Sequence, residues 1–491
     1  MKVAFATPEF LSLVRRTNLA EIAEYLPRTL VQLGVDVEVF LPFTRDVDVD
    51  RLGELEDLGT IHYSDVEGDV AVDLHRGSIG GVSVILVDHP ELFRSRHPYG
   101  DENGPYADNW RRFAVFARAV LGGLSLAKFK PDVLHCLDWT SGLIPLYHKL
   151  EVLGDTSHPA HRAGTFFGVH NLAMQGSFER EILPKINVPH SLFQAIEGVE
   201  MGGKVNYLKA GAEFATIVGT HSPEQVAAVD DIAAAGGMEE SFKRRKKELV
   251  GIMNGIDYQQ WNPRVDPLLA QNFGPDDTEL LGKRKCKAAL QTSLNLDKSS
   301  RLPILAVVGR FDADNGFDIL SEAITPLLER NLQLVLMGPG SPEVFERMHT
   351  IEQTFAGRCR VIEGYNVNTA HMILAGADVA IMPGHHHPTN SLCAIGMRYG
   401  VVPLSYAGSG LEDTVIPYDQ TPKKATGFQF KTHSTEGLIA AVDEIRNVYK
   451  KAEDWRPIVA RCLAQDFSWE ESGRAYIKAY RRVTRRIRSN K

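Results

Sequence analysis

The chain has 491 residues, too many for one domain and enough for two or three. With 44% hydrophobic and 24% charged residues, its composition is typical of a soluble globular protein. A net charge of −8 gives no field that would attract nucleic acid or an anionic membrane, and no run of about 18 apolar residues predicts a membrane span.

The N-terminal residues and the cysteines bear on whether the protein is cytoplasmic or secreted. Pro8 and Glu9 interrupt the apolar run at the start of the chain, which favours a first core strand over a signal peptide. The five cysteines are scattered, with neither a C-x-x-C pair nor metal-ligand spacing, and are expected to be reduced thiols. We therefore expect a cytoplasmic protein.

The first half of the chain alternates apolar strands with amphipathic helices. Lys2–Thr7 and Asp36–Pro42 predict strands, and the helix between them is expected to start with Asn18 as its N-cap. Residues 45 to about 80 are acidic and rich in turn residues, and they predict a surface excursion. A helix is expected from about Asp108 to Leu126, and further strands are predicted at Val82–Pro90, Pro131–Trp139, Gly164–Asn171 and Ala215–Thr220.

The strand and helix pattern restarts at Pro303. Five strands are predicted there: Pro303–Arg310, Leu332–Gly340, Cys359–Asn366, Asp378–Gly384 and Val401–Gly408. Two such runs predict an α/β fold with two Rossmann-like domains that face each other across a cleft. We expect residues 1–255, joined by a C-terminal helix at 466–491, to form the first domain and residues 256–465 the second.

The stretch IMPGHHHPTNSLCAIGMRYGVVP, residues 381–403, carries the most specific signal. It predicts a buried strand, a polar loop and a helix, an arrangement that binds anionic ligands at the helix N-terminus. The stretch resembles the bacterial glycogen and plant starch synthases, whose loop carries Glu-Pro-Cys-Gly ahead of the same M-R-Y-G-x-V-P run. Further segments resemble the family in order and spacing: YGDENGPYADNWRRFAVFARA, VHNLAMQGSF, NYLKAGAEFAT, GIMNGIDYQQWNP, AHMILAGADVAIMP and DFSWEESGRAY.

The resemblance covers nearly the whole chain and implies a fold and a reaction. The fold is GT-B, in which the C-terminal helix returns to the first domain. The reaction passes glucose from ADP-glucose, or a related nucleotide sugar held by the second domain, to an α-1,4-glucan with retained configuration. Nucleotide sugar and α-glucan would be the partners, no cofactor or metal is implied, and a homo-oligomer or a partner enzyme of glycogen metabolism is left open.

The resemblance also implies site residues. Asp138 would lie at the mouth of the acceptor cleft, His170 would approach the transferred sugar and Arg310 would bind phosphate. His387 stands where the family has glutamate, and it could instead act as a partly cationic group near a phosphate. These four are the catalytic candidates. The substrate-binding candidates are Arg15, Asn18, Asn171, Asn254, Asn315, Tyr365, Thr389, Asn390 and Gly410. Instead of contacting a ligand, His170, Asn254 and Tyr365 could have a structural role. Arg15 and Arg16 could instead be exposed to solvent.

Several family positions are replaced in this chain. The family lysine is Asn315, the loop glutamate is His387, and Lys-x-Gly-Gly before the first helix is Arg15–Asn18. Losing one preorganised charged contact to a transition state costs on the order of 3 kcal/mol. Three hypotheses therefore stand: a glucan synthase with weak or altered activity, a non-catalytic regulator or scaffold, and a transferase with another donor or acceptor. The triplet His385–His387 does not predict a metal site, because adjacent loop residues rarely point at one ion.

Overall fold

The computed structural model describes residues 1–223, 226, 236–385 and 391–489. Two compact units are present, one formed by Met1–Met253 and the residues from Trp469 onward, the other by Asn254–Ser468. The sequence prediction puts the boundary between residues 255 and 256 and gives residues 466–491 to the first domain. No helix in the described ranges combines the length and the apolar character needed to cross a membrane.

A nine-stranded sheet organises the first unit. Its strands are β1 Lys2–Ala6, β2 Asp36–Pro42, β3 Glu56–Asp65, β4 Gly68–Ile79, β5 Val82–Asp88, β8 Val133–Leu137, β9 Gly164–Val169, β13 Ile217–Thr220 and β14 Leu249–Gly251. They lie in the order β14-β13-β9-β8-β1-β2-β5-β4-β3. The strands from β14 to β5 run parallel, and β4 and β3 complete the sheet as antiparallel strands.

Short strands and helices complete the first unit. The short strands are β6 Gly100–Asp101, β7 Gly104–Pro105, β10 Ser177–Phe178, β11 Glu200–Met201 and β12 Lys204–Asn206. The α-helices given by its described residues include α1 Leu19–Gln32, α2 Asn109–Leu126, α3 Leu143–Tyr147, α4 Tyr207–Phe214, α5 Glu239–Arg244 and, from the last part of the sequence, α13 Trp469–Ser489. Helix α13 packs on α1 and on β9, and its Tyr476 and Tyr480 are buried in the first unit's core.

Two sequence predictions in this unit are wrong. The predicted surface excursion at residues 45–80 contains instead β3 and β4, which pair over most of their length. Val70, Val72 and Leu74 alternate along β4 and are buried, as an antiparallel strand with one solvated face requires. The Asn18 side chain, predicted to cap α1, makes no capping bond, and Thr17 Oγ1 accepts from the Leu19 N–H at 3.1 Å instead.

The second unit contains a six-stranded, fully parallel sheet. Its strands are β15 Ile304–Val308, β16 Gln333–Gly338, β17 Cys359–Glu363, β18 Val379–Met382, β19 Val402–Tyr406 and β20 Phe428–Phe430. They lie in the order β17-β16-β15-β18-β19-β20. The helices of this unit are α6 Leu281–Ser293, α7 Phe317–Leu328, α8 Pro342–Thr354, α9 Val367–Gly376, α10 Ser391–Arg398, α11 Thr435–Tyr449 and α12 Ala452–Ala464.

The parallel part of each sheet reverses its strand order once. In the first unit the reversal lies between β1 and β8, and in the second between β15 and β18. Ligands of open α/β sheets bind beyond the carboxyl ends of the strands at this reversal. The loops that follow β1, β8, β15 and β18 are therefore where each unit's functional residues are expected.

Candidate functional site

Asp138 orders the backbone that carries His170. It follows β8 and is 5% exposed, and its φ of +51° lies in the left-handed region that non-glycine residues rarely occupy. Its Oδ1 accepts the N–H of His170 at 2.7 Å and that of Asn171 at 3.3 Å. Burial raises the pKa of Asp138 to about 7, although these two N–H donors lower it. Asp138, His170 and Asn171 thus form one connected group, with the Asn171 side chain accepting from the Ala173 N–H.

The His170 imidazole is held neutral and without a hydrogen bond. Both ring nitrogens are shielded from solvent and have no hydrogen-bond partner among the described residues. Burial, and secondarily the nearby His221, lowers the pKa of His170 to about 3. Buried polar nitrogens are nearly always paired. The two unpaired nitrogens are an exception to this rule, and a ligand hydroxyl at this strand end would satisfy one of them.

Glu9 fixes the loop before α1. This fully buried carboxylate accepts the N–H groups of Arg16 at 2.5 Å and Thr17 at 2.8 Å, together with the hydroxyl of Thr17 at 2.8 Å. The Tyr99 hydroxyl also donates to Glu9 at 2.5 Å, and burial together with the Glu9 charge raises the pKa of Tyr99. The N–H groups of Arg16 and Thr17 therefore donate to the Glu9 carboxylate and are not free to bind an anionic ligand.

The two arginines predicted to bind an anion are paired with acidic side chains. Arg16 donates to Asp46 at 2.6 Å, and Arg15 donates to Glu21 at 3.0 Å. His97 Nδ1 joins Asp46 at 2.7 Å, and hydrogen bonds from His97 and Arg16 lower the pKa of Asp46 despite its partial burial. Such half-exposed pairs contribute little stability, on the order of 0–1 kcal/mol, so an anionic ligand could displace either carboxylate. Asn18 is exposed beside them.

Sequence reasoning missed three residues that organise this region: Glu9, His97 and Arg112. The fully buried Arg112 donates to the carbonyls of Leu92, Pro98 and His97, which fixes the loop that brings His97 to Asp46. Only Glu9 could have been found from the sequence, because it is a charged residue directly after the first predicted strand. The pairing of His97 with Asp46 spans 51 positions and no local pattern indicates it.

In the second unit, Arg310 and Asn315 both donate hydrogen bonds to the carboxylate of Asp312. Arg310 is exposed and its Nε donates to Asp312 at 3.2 Å. Asn315 donates to the same carboxylate through its side-chain amide at 2.6 Å and its N–H at 3.1 Å. These contacts, the Asn315 amide first, lower the pKa of Asp312. Gly316 has φ +74°, and a Cβ there would lie 2.4 Å from the Pro383 backbone after β18, so this loop packs tightly against the next.

Aromatic and imidazole rings gather beyond β18, β19 and β20. His385 stacks on His433 with ring centroids 3.5 Å apart, and Tyr406 meets both edge to face. The predicted residues His387, Thr389 and Asn390 lie outside the described residues. Within the described ranges, no group of three His, Cys, Asp or Glu side chains is arranged to hold a metal ion.

The remaining candidates are spread over the second unit. Asn254 is buried where the unit begins, and Tyr365 is 59% exposed beyond β17. Gly410 follows β19 with φ +85°, a value that glycine adopts freely. Beside it, the buried Ser409 hydroxyl has no hydrogen-bond partner in the described part of the chain. Tyr365 and Gly410 thus follow the carboxyl ends of strands, as Arg310 does, whereas Asn254 lies at the start of the unit.

Taken unit by unit, the geometry suits the binding of polar ligand groups. The first unit offers a neutral imidazole and a buried carboxylate at its strand reversal. The second offers one exposed guanidinium with an acidic neighbour. Hydroxyl-rich ligands suit the first arrangement, and an anionic group suits the second.

Comparison with known proteins gives full-length matches. A family model of the starch synthase catalytic domain matches residues 2–244, and a model of glycosyl transferases group 1 matches residues 294–459. The glycogen synthase of Geotalea uraniireducens is 33% identical over 482 residues, which is 98% of both chains. That of Thioalkalivibrio sulfidiphilus is 34% identical over 493 residues, covering 98% of this chain and 99% of the relative.

A solved structure agrees with these relatives. The catalytic domain of starch synthase IV from Arabidopsis thaliana, bound to ADP and acarbose, matches with a TM-score of 0.81 and 29% identity. The match covers 98% of this chain and 99% of that one. The predicted α/β fold of the GT-B type is confirmed.

Proposed function

Because this chain belongs to the glycogen and starch synthase family of glucosyltransferases, we propose that it transfers glucose from ADP-glucose, or a related nucleotide sugar, to an α-1,4-glucan with retained configuration. The predicted family and enzyme class are confirmed. The observation that carries the proposal is similarity to named glycogen synthases along 98% of the chain. A starch synthase bound to ADP and acarbose supports the choice of donor and acceptor.

The transfer is proposed to be slow. A leaving diphosphate needs fixed positive charge, because negative charge develops on it as the glycosidic bond breaks. In the second unit Arg310 is engaged by Asp312, and Asn315 stands where the family resemblance implies a lysine. In the first unit Arg15 and Arg16 are engaged by Glu21 and Asp46. Each carboxylate offsets part of the positive charge that its arginine offers to a phosphate.

A second candidate is a non-catalytic relative that binds nucleotide or glucan. The observation favouring it is that Arg15 and Arg16 in the first unit and Arg310 in the second are each paired with a carboxylate. His170, with two unpaired ring nitrogens, would still contact glucan hydroxyls in such a protein. We propose no metal or organic cofactor for either function, and a homo-oligomer or partner enzyme stays a prediction.

A thermal-shift screen followed by a transfer assay separates the candidates. A ligand that binds only the folded protein raises its melting temperature. We expect ADP, ADP-glucose and maltooligosaccharides to raise it, and ADP-glucose to give slow incorporation of glucose into glycogen. Shifts without incorporation would support the non-catalytic binder. No shift with any sugar nucleotide would contradict both candidates.

A further inference from the structure

The second unit contains a cavity away from the candidate site. Its volume is about 440 Å³, within the range of small-molecule sites, and its lining residues come from α6, the loop before β15, the end of α11 and the start of α12. Asp378, at the amino end of β18, lies on its wall and accepts the Ile304 N–H at 2.8 Å. The cavity therefore lies at the amino edge of the sheet, whereas Arg310 and Asn315 follow its carboxyl edge.

The lining is strongly basic in a chain of net charge −8. Among the sixteen described lining residues, six are Lys or Arg and only Asp378 is acidic. Asp378 is bound to Lys287, whose ammonium lies 2.6 Å from it and also donates to Tyr449. Arg456 is paired with Glu279. Two of the six cations are thus neutralised by carboxylates.

The other four cations have no carboxylate partner in the described part of the chain. Lys283 is buried, and its ammonium donates to three backbone carbonyls, of which Tyr399 O at 2.8 Å is the nearest. Burial lowers the pKa of Lys283 to about 8. Arg284, Arg301 and Lys450 are exposed at the cavity, and their side chains make no hydrogen bond or ion pair to described residues. A bound anion would give Arg284, Arg301 and Lys450 the counter-ion that the described residues do not supply.

The cavity also has an apolar side. Trp455 and Val459 of α12 are buried residues that contribute to its lining, together with Leu280 and Ala288. Small-molecule sites combine such apolar surface with a few placed polar groups. An inorganic anion would use the cations but leave the Trp455 face empty.

We propose that this cavity binds a small organic phosphate, with its dianionic phosphate against Arg284, Arg301 and Lys450 and its organic part against Trp455. Guanidinium groups bind phosphate through paired N–H donors, which suits the two arginines to this ligand. The site does not depend on the proposed transfer reaction, because it shares no residue with the candidates after β15 and β18. A ligand in this cavity would not displace a nucleotide sugar bound at those candidate residues.

Isothermal titration with phenyl phosphate tests the proposal. The titration uses full-length protein carrying Arg310→Ala, which removes the cation of the candidate donor site. The result therefore does not depend on whether the proposed transfer function is correct. We expect saturable binding, tighter than that of inorganic phosphate because only the ester carries a ring for Trp455. Adding Arg284→Ala and Arg301→Ala should weaken binding about tenfold or more.

Lys423→Ala with Lys424→Ala is the matched control, since it removes two exposed cations of the same unit outside the cavity. We expect phenyl phosphate affinity to be unchanged in it. If the arginine double variant does not fold, Lys450→Ala alone should still weaken binding. No binding at millimolar phenyl phosphate, equal affinity for inorganic phosphate, or equal losses in test and control variants would each overturn the proposal.

Discussion

The two strand reversals carry different kinds of candidate site. In the first unit, buried carboxylates of Glu9 and Asp138 fix the loops through backbone N–H groups at 2.5–2.8 Å. In the second, an exposed arginine and an asparagine share one partly exposed aspartate. Buried charge-assisted hydrogen bonds hold geometry, whereas an exposed ion pair is readily exchanged for a ligand. We infer that substitutions in the first unit change stability and those in the second change binding.

The largest expected effect is that of Glu9→Ala. It leaves the N–H groups of Arg16 and Thr17 and the Tyr99 hydroxyl without their common acceptor. We expect the free energy of unfolding to fall by at least about 3 kcal/mol, because each buried donor left unsatisfied costs on the order of 1–3 kcal/mol. Urea denaturation followed by circular dichroism measures the change. Glu54→Ala, at an exposed glutamate, is the control, and equal losses in both variants would contradict the role given to Glu9.

The next effect is a pH dependence that Asp138→Asn should remove. The folded pKa of Asp138, about 7, lies above the ordinary 3.8, so the folded state binds more protons between these values. The contribution of Asp138 to stability is therefore lost as pH rises from about 4 to 7, by about 2–3 kcal/mol between pH 5 and pH 8. Asparagine keeps an oxygen for the two N–H donors and does not ionise.

The measurement for Asp138→Asn is the difference in unfolding free energy between variant and unmodified protein at pH 5 and pH 8. We expect that difference to move in favour of the variant at pH 8. Taking the difference removes the opposite contribution of His170, whose folded pKa of about 3 makes the protein lose stability as pH falls below 6.5. A difference that does not change with pH would show that Asp138 is not desolvated.

In the second unit, Arg310→Ala should act on binding and leave stability nearly unchanged. Its guanidinium is exposed and pairs with Asp312 at the surface, so its loss removes no core contact. We expect the dissociation constant for ADP to rise about tenfold, the value of one charge-assisted contact to phosphate. Calorimetric titration measures it, with Lys424→Ala as an exposed control cation. An unchanged ADP affinity would place the nucleotide elsewhere.

The smallest predicted effect is that of Asp312→Asn. Asparagine keeps an acceptor for the Asn315 N–H but removes the negative charge beside Arg310. We expect ADP to bind about twofold to fivefold more tightly, in line with the small energy of exposed ion pairs. A weaker affinity for ADP would mean that the Asp312 charge positions Arg310 and does not compete for it.

The fold is largely predictable from sequence because its signals are local. The strand predicted at Asp36–Pro42 is β2 residue for residue, and the helix predicted from Asp108 begins at Asn109. The β3–β4 hairpin escapes prediction although Val70, Val72 and Leu74 alternate, because the acidic and turn-forming residues around them are also typical of loops.

The contacts of the candidate residues in the first unit are less predictable because they are not local. The family resemblance selects Asp138, His170 and Arg310, but it does not reveal which groups hold them. Glu9 acts on Tyr99 across 90 positions, and Asp138 acts on His170 across 32. Only the folded chain shows that Arg16 faces Asp46, which lies 30 positions away.

The most direct test of slow transfer is the rate at which glucose passes from ADP-glucose to glycogen. The comparison is between the unmodified protein and Asn315→Lys combined with His387→Glu, the two family residues that the resemblance implies. We predict transfer well below the roughly 1–10³ s⁻¹ typical of enzymes, and a measurable rise in the double variant. A typical rate in the unmodified protein, or no transfer by either protein, would contradict this prediction.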